Sequence, residues 1–168
     1  WRKLHLGVDP QSGEIQVAVL TENSCSDDEA AVSLLPQIDT PIARFAADGS
    51  YDKRKVYDAL QRLAPEAQVL IPPRKNAHIW QHGNTRAERL ARDQNLRAIR
   101  RHGRAAWKRE SGYHMRSLAE TAVFRVKTIF GGALSTRLLA TQQTQAMLRC
   151  AALNKMTHLG MPQSYKVA

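Results

Sequence analysis

Apolar and polar residues alternate along the first nine positions, WRKLHLGVD, and put Leu4, Leu6 and Val8 on one face. Residues 14–21, EIQVAVLT, repeat the alternation with Ile15, Val17 and Val19. DPQSG between them is rich in turn formers, so 1–21 predicts a β-hairpin. Ser26 or Asp27 can cap the next segment, DDEAAVSLLPQI, as a short helix with its acids at the N-terminal end. IARFAA (42–47) predicts a buried strand ending at Asp48, and Asp52 the cap of a helix through KRKVYDALQRL. QVLI (68–71) is a further strand, stopped by Pro72 and Pro73. Strand–helix–strand order of this kind argues for an α/β layer fold with parallel pairing. Beyond it, 74–112 is only weakly periodic, with 84–101 the best helical stretch. Two helices follow, about 113–130 and 137–158, separated by Gly131-Gly132. The second is expected to pack on the sheet.

Charge sharpens this picture. Lysine and arginine outnumber acids 25 to 15, which points to an anionic partner. The excess is local: 86–109 holds nine Arg or Lys against two acids, whereas 1–52 holds three against nine. A face of almost one sign repels itself, so the cations of 74–109 (among them Arg74, Lys75, Arg86, Arg89, Arg92, Arg97, Arg100, Arg101 and Arg104) favour a DNA-binding reading over a merely solvated one. No apolar run approaches a membrane-spanning length, and no basic amphipathic helix carries bulky anchors, so no membrane partner is expected. Cys25 and Cys150 are distant and form no C-x-x-C, in keeping with a reducing compartment. Trp1 opens directly onto a strand pattern, which predicts no leader peptide.

Candidate chemistry concentrates in 112–127, GYHMRSLAETAVFRVK. At about 100° per residue, Tyr113, Arg116, Glu120 and Lys127 fall within a stripe roughly 60° wide. Leu118, Ala122, Val126 and Ile129 gather near the opposite pole. The bland reading is a solvated face on which Glu120 pairs with Arg116, a contact worth about 0.3–0.5 kcal/mol.

The four polar residues reproduce the spacing Y-x2-R-x3-E-x6-K, and with it the chain resembles bacterial insertion-sequence transposases of the DDE type. WRKLHLGVD at 1–9, ADGSYD at 47–52, IPPRKNA at 71–77 and LNKMTHLGMPQS at 153–164 are similar to the same family, so the likeness runs essentially end to end. The resemblance implies an RNase H-like α/β fold, a mixed sheet flanked by helices, as a single catalytic domain over 1–168 with a basic, mostly helical insertion at 74–112. It implies metal-dependent DNA strand cleavage and strand transfer, with Asp48 as second catalytic aspartate and Glu120 as terminal glutamate. Both would be ligands of Mg²⁺, for which Mn²⁺ substitutes. Tyr113 and Arg116 are implied to hold DNA phosphate near the scissile bond, and Lys127 to act on nearby DNA. The expected partners are double-stranded DNA at the element ends and the target, and a second copy of the chain on that DNA. A cytoplasmic, nucleoid-associated location in a bacterium follows.

The family takes three acids, the first on an opening strand that precedes the tryptophan matching Trp1. The chain is therefore expected to be truncated before that strand and inactive by itself. A catalytically dead DNA-binding remnant, and an RNase H-like nuclease outside transposition, are the alternatives. Asp9 is a poor stand-in for the missing acid, because it leads into the DPQSG turn. Asp52 is expected to cap rather than to bind metal. His78 and His82 stand at a spacing zinc can use, but without a third ligand they favour a solvated loop or a phosphate contact. Trp80 and Trp107 are expected to pack the insertion down rather than to stack on a displaced base.

Overall fold

A computed structural model describes residues 1–82 and 89–160, arranged as two compact units: Trp1–Asn23 with Leu118 onward, and Ser24–Ser117. Among the described residues there are two two-stranded sheets, one in each unit.

The first unit opens with the expected hairpin, β1 (Arg2–Val8) antiparallel to β2 (Ile15–Glu22). At its turn the Asp9 carboxylate accepts from the Ser12 hydroxyl (2.7 Å) and from the Gln11 and Ser12 amides (both 3.1 Å). These hydrogen bonds, that of the Ser12 hydroxyl foremost, hold the Asp9 carboxyl below the usual range. Asp9 is a hairpin residue, as its setting predicts.

One detail of the alternation is corrected. Gly7 pairs with Val17 but Val8 with Ile15, so Gln16 is bulged and the period of two is broken there. Ile15 thereby joins Leu4, Leu6, Val8 and Ala18 in a core with Ala122 and Val126 of α5 (Ser117–Phe130) and Cys150 and Leu153 of α6 (Leu139–His158). Val17 turns to the other face, where a Cβ on Gly7 would lie 3.0 Å from its methyl.

Helix α6 covers this hairpin, as expected. Its Asn154 donates to the Ile15 carbonyl and accepts from the Ile15 amide, both at 2.8 Å, as a neighbouring strand would. Gln143 donates to the Leu20 carbonyl at 3.1 Å. Burial pushes the Cys150 thiol up, which suits a packing residue.

The second unit begins with α1 (Asp27–Leu34), whose N-cap is Ser26. The Ser26 amide donates to the Glu29 carboxylate at 3.0 Å. A 3₁₀ turn over Leu35–Gln37 accommodates Pro36. Strand β3 (Arg44–Ala46), helix α2 (Arg54–Leu63) and strand β4 (Gln68–Leu70) then form the parallel crossover that the pattern predicts, with Phe45 opposite Val69. Helix α2 buries Val56, Tyr57, Ala59 and Leu60, at helical spacing, against Val69 and Ile71. The N-cap of α2 is Lys53 and not the expected Asp52.

Helix α1 is tied to α2 by Lys55, whose ammonium lies 2.7 Å from Asp28. Burial raises the Asp28 carboxyl, but hydrogen bonds from Lys55 and Ser26 outweigh it and leave the group below its ordinary value of 3.8. A depressed carboxyl contributes stability above its unfolded value and loses it as pH falls through the folded one. Asp28→Asn should cost about 1 kcal/mol at pH 7, since Lys55 is partly solvated. The difference from the parent chain should close below pH 3 in thermal melts.

The Arg-rich region forms α3 (Ala91–His102) and α4 (Arg104–Glu110), broken at Gly103, whose φ is +83°. The helix expected at 84–101 starts later than predicted, and residues 83–88, with Arg86, lie outside the described part. So do residues 161–168. The helix expected from 113 is a 3₁₀ turn over Tyr113–Arg116 that passes into α5 at Ser117.

Candidate functional site

Asp48 follows β3, at the C-terminal end of a parallel strand pair, a place where α/β sheets commonly present ligand-binding residues. It caps a 3₁₀ turn over Gly49–Tyr51. Its Oδ1 accepts from the Ser50 amide (2.8 Å) and the Ser50 hydroxyl (2.5 Å), while Oδ2 lies 3.9 Å from the Arg116 guanidinium. The Ser50 hydroxyl is also 3.3 Å from Asp27. The turn leans on the chain after β4, where a Cβ on Gly49 would stand 3.2 Å from the Pro72 carbonyl. Tyr51 beside it is pushed up to about 12 by burial, with the Asp27 and Asp48 charges adding to the shift. Nearly half of the Asp48 side chain is exposed.

Arg116 closes the Tyr113–Arg116 turn, with its guanidinium 5.9 Å from the Tyr113 ring centre. Tyr113 is buried beside Leu70 and against Trp107, at 5.4 Å between ring centres. The single exposed stripe expected over 113–127 is therefore corrected. Its first four residues wind as 3₁₀, which places side chains every 120° rather than every 100°, and its first ring faces the core. Glu120 and Lys127, two turns apart on α5, are exposed and share one side of that helix, whose Ala122 and Val126 are buried. Asp48, Tyr113 and Arg116 belong to the second unit, Glu120 and Lys127 to the first.

The basic segment is partly assembled. Arg100 donates to the Ala77 carbonyl at 2.9 Å and Arg104 to that of Pro73, so both reach the turn that carries exposed Arg74 and Lys75. Arg101 is exposed and Arg97 half-buried on α3. Arg92 is the exception: it is buried and paired with Asp52 at 2.7 Å, so it is no part of a DNA-facing surface. That pairing, rather than a helix cap, is what Asp52 does.

His78 and His82 lie in non-helical chain, where i,i+4 does not align side chains, and no group of three His, Cys, Asp or Glu suited to a metal occurs among the described residues. Trp80 and Trp107 pack, as expected. Trp80 meets Tyr57 edge-on and lies under Arg92, and Trp107 is buried and donates to Asn95. The contacts of Asp48 with Ser50 and Arg116, and that of Ser50 with Asp27, have no signal of their own in the sequence. The nearest to one is the serine that ADGSYD places two residues after the acid, a common turn signal.

Asp48 thus stands at the end of a parallel strand, faced by Arg116, in the unit that also carries the cationic helices α3 and α4. A family model described as Transposase DDE domain matches residues 1–155, and the chain belongs to that family. No solved structure gives a significant match. Among the described residues no helix is long and apolar enough to cross a membrane.

Proposed function

We propose that the chain is the catalytic domain of an insertion-sequence transposase with an RNase H-like fold, acting on double-stranded DNA as a homodimer. In this reading 74–112 is its basic insertion and Asp48 and Glu120 are two of its metal-binding carboxylates. The observation that carries it, beside family membership, is Asp48 at the end of β3 with its carboxylate nearly half exposed and Arg116 facing it. The donor chemistry fits Mg²⁺, a hard cation that is commonly held by one or two carboxylates together with waters and substrate phosphate. When bound, the metal would lower the pKa of an attacking water or hydroxyl and neutralise charge at the leaving oxygen.

The protein's own groups supply position. Ser50 fixes one oxygen of Asp48 and leaves the other for a ligand. Arg116 can turn from Asp48 to a phosphate, which its fork grips through two hydrogen bonds. Tyr113, with its ring buried, seats the turn from which Arg116 projects. Lys127 adds a mobile point charge on the Glu120 side of α5. Arg74, Lys75, Arg97, Arg100, Arg101 and Arg104 hold the DNA backbone, a task that needs charge rather than sequence readout.

The test is Mn²⁺ binding to the chain with duplex DNA, followed by electron paramagnetic resonance. Asp48→Asn and Glu120→Gln should each weaken it by more than about tenfold. Affinity unchanged in both variants would sink the site assignment, and DNA retention in that event would leave a binding module without this catalysis.

A further inference from the structure

Arg92 is a charge sealed inside the second unit, with its side chain 5% exposed and that of its partner Asp52 4% exposed. Its Nε donates to Asp52 Oδ1 at 2.7 Å and one terminal nitrogen to Oδ2 at 3.3 Å. The other donates to the His78 carbonyl at 2.8 Å, and the guanidinium lies 3.8 Å from the centre of the Trp80 ring. The Tyr57 hydroxyl adds a bond to Asp52 at 3.4 Å. Such a pair is dear in desolvation, and a well-packed apolar pair would stabilise a fold as well. Its distinctive property is direction: a two-pronged fork fixes both partners in one orientation.

What it orients is set by the position of Asp52. That residue closes the 3₁₀ turn that Asp48 opens, with its amide donating to the Gly49 carbonyl at 3.3 Å. Helix α3, which carries Arg97, Arg100 and Arg101, therefore grips the far end of the turn whose near end presents Asp48. We infer that Arg92 and Asp52 are a positioning pair that holds the Asp48 turn in fixed register with the cationic helix, so that carboxylate and phosphate-binding charges keep one spacing. The use of that spacing rests on the role proposed for Asp48; the clasp itself does not.

Hydrogen exchange in the 168-residue chain tests it. Arg92→Lys keeps the charge and loses the fork. It should speed exchange of the Ser50 and Asp52 amides by roughly tenfold relative to amides of α2, as loss of one charge-assisted hydrogen bond would. Asp52→Asn should do the same. Leu96→Ala, a cavity on the same helix, serves as the control for general loosening and should leave that ratio unchanged. Mn²⁺ affinity should fall several-fold in Arg92→Lys and not in Leu96→Ala. Equal ratios in Arg92→Lys and Leu96→Ala would overturn the clasp. Faster exchange in Arg92→Lys with Mn²⁺ binding untouched there, but lost in Asp48→Asn, would keep the clasp and overturn its functional use. Binding untouched in Asp48→Asn as well would put the fault in the reading of Asp48, and the inferred use would fall with it.

Discussion

Asp93→Ala is expected to destabilise the Ser24–Ser117 unit by about 3–5 kcal/mol, the largest loss among the substitutions considered. Asp93 is fully buried, and its carboxylate accepts from the Trp80 amide at 3.0 Å and the Gln81 amide at 2.8 Å. Arg92 is 3.4 Å from it. Truncation would leave two inward-facing amides without acceptors and weaken the counter-charge to a buried guanidinium. Segment 78–81 belongs to neither helix nor strand, so beside Trp80 packing and the bond from Arg92 to the His78 carbonyl these two hydrogen bonds are what hold its backbone. Asp93→Asn separates the contributions: the shape and one acceptor oxygen remain while the charge goes, so about half the loss should persist. Urea unfolding checks both, with a lower midpoint and an unchanged slope as the expected signature. A loss under about 1 kcal/mol for Asp93→Ala would mean that the segment is anchored by Trp80 packing instead.

Arg92 and Asp93 also show where reading the chain succeeds and where it stops. The hairpin and the β3–α2–β4 crossover were legible because their apolar residues follow periods of two and 3.6 between strong turn residues. Helix α3 was harder to see. Arg92, Asn95, Leu96 and Ile99 follow the spacing of a buried helical stripe, but two of the four are polar, and Arg92 counted toward a basic surface. Asn95 earns its burial by donating to the Val69 carbonyl at 2.7 Å and accepting from Trp107 at 3.3 Å, partners that lie 26 and 12 positions away. No local pattern announces such pairs. The bulge at Gln16 is a similar case, since alternation alone cannot reveal a skipped residue. At the candidate site, Asp48 was legible as an acid that ends a strand and matches the family's pattern. Its contacts with Ser50 and Arg116 were not, because Arg116 arrives from 68 positions downstream through a 3₁₀ turn that a uniform helical wheel misplaces.

The same distinction between buried and displayed arginines gives the second large expected effect. Replacing Arg97, Arg100, Arg101 and Arg104 together by Gln should reduce the dependence of log affinity for duplex DNA on log salt by about 3 to 4 units. Those four charges would otherwise account for roughly a hundredfold of the affinity lost between 50 and 200 mM salt. Arg92→Lys should leave the dependence as it is, because a cation 5% exposed and bound to Asp52 releases no counterions when DNA arrives. Composition alone would rank Arg92 with its neighbours; burial separates them. Arg100 and Arg104 also donate to backbone carbonyls of Ala77 and Pro73, so the fourfold variant needs a melting curve beside its binding curve. If the variant is folded and its salt dependence matches that of the parent chain, the cations of α3 and α4 do not face DNA, and the partner of this surface must be sought elsewhere.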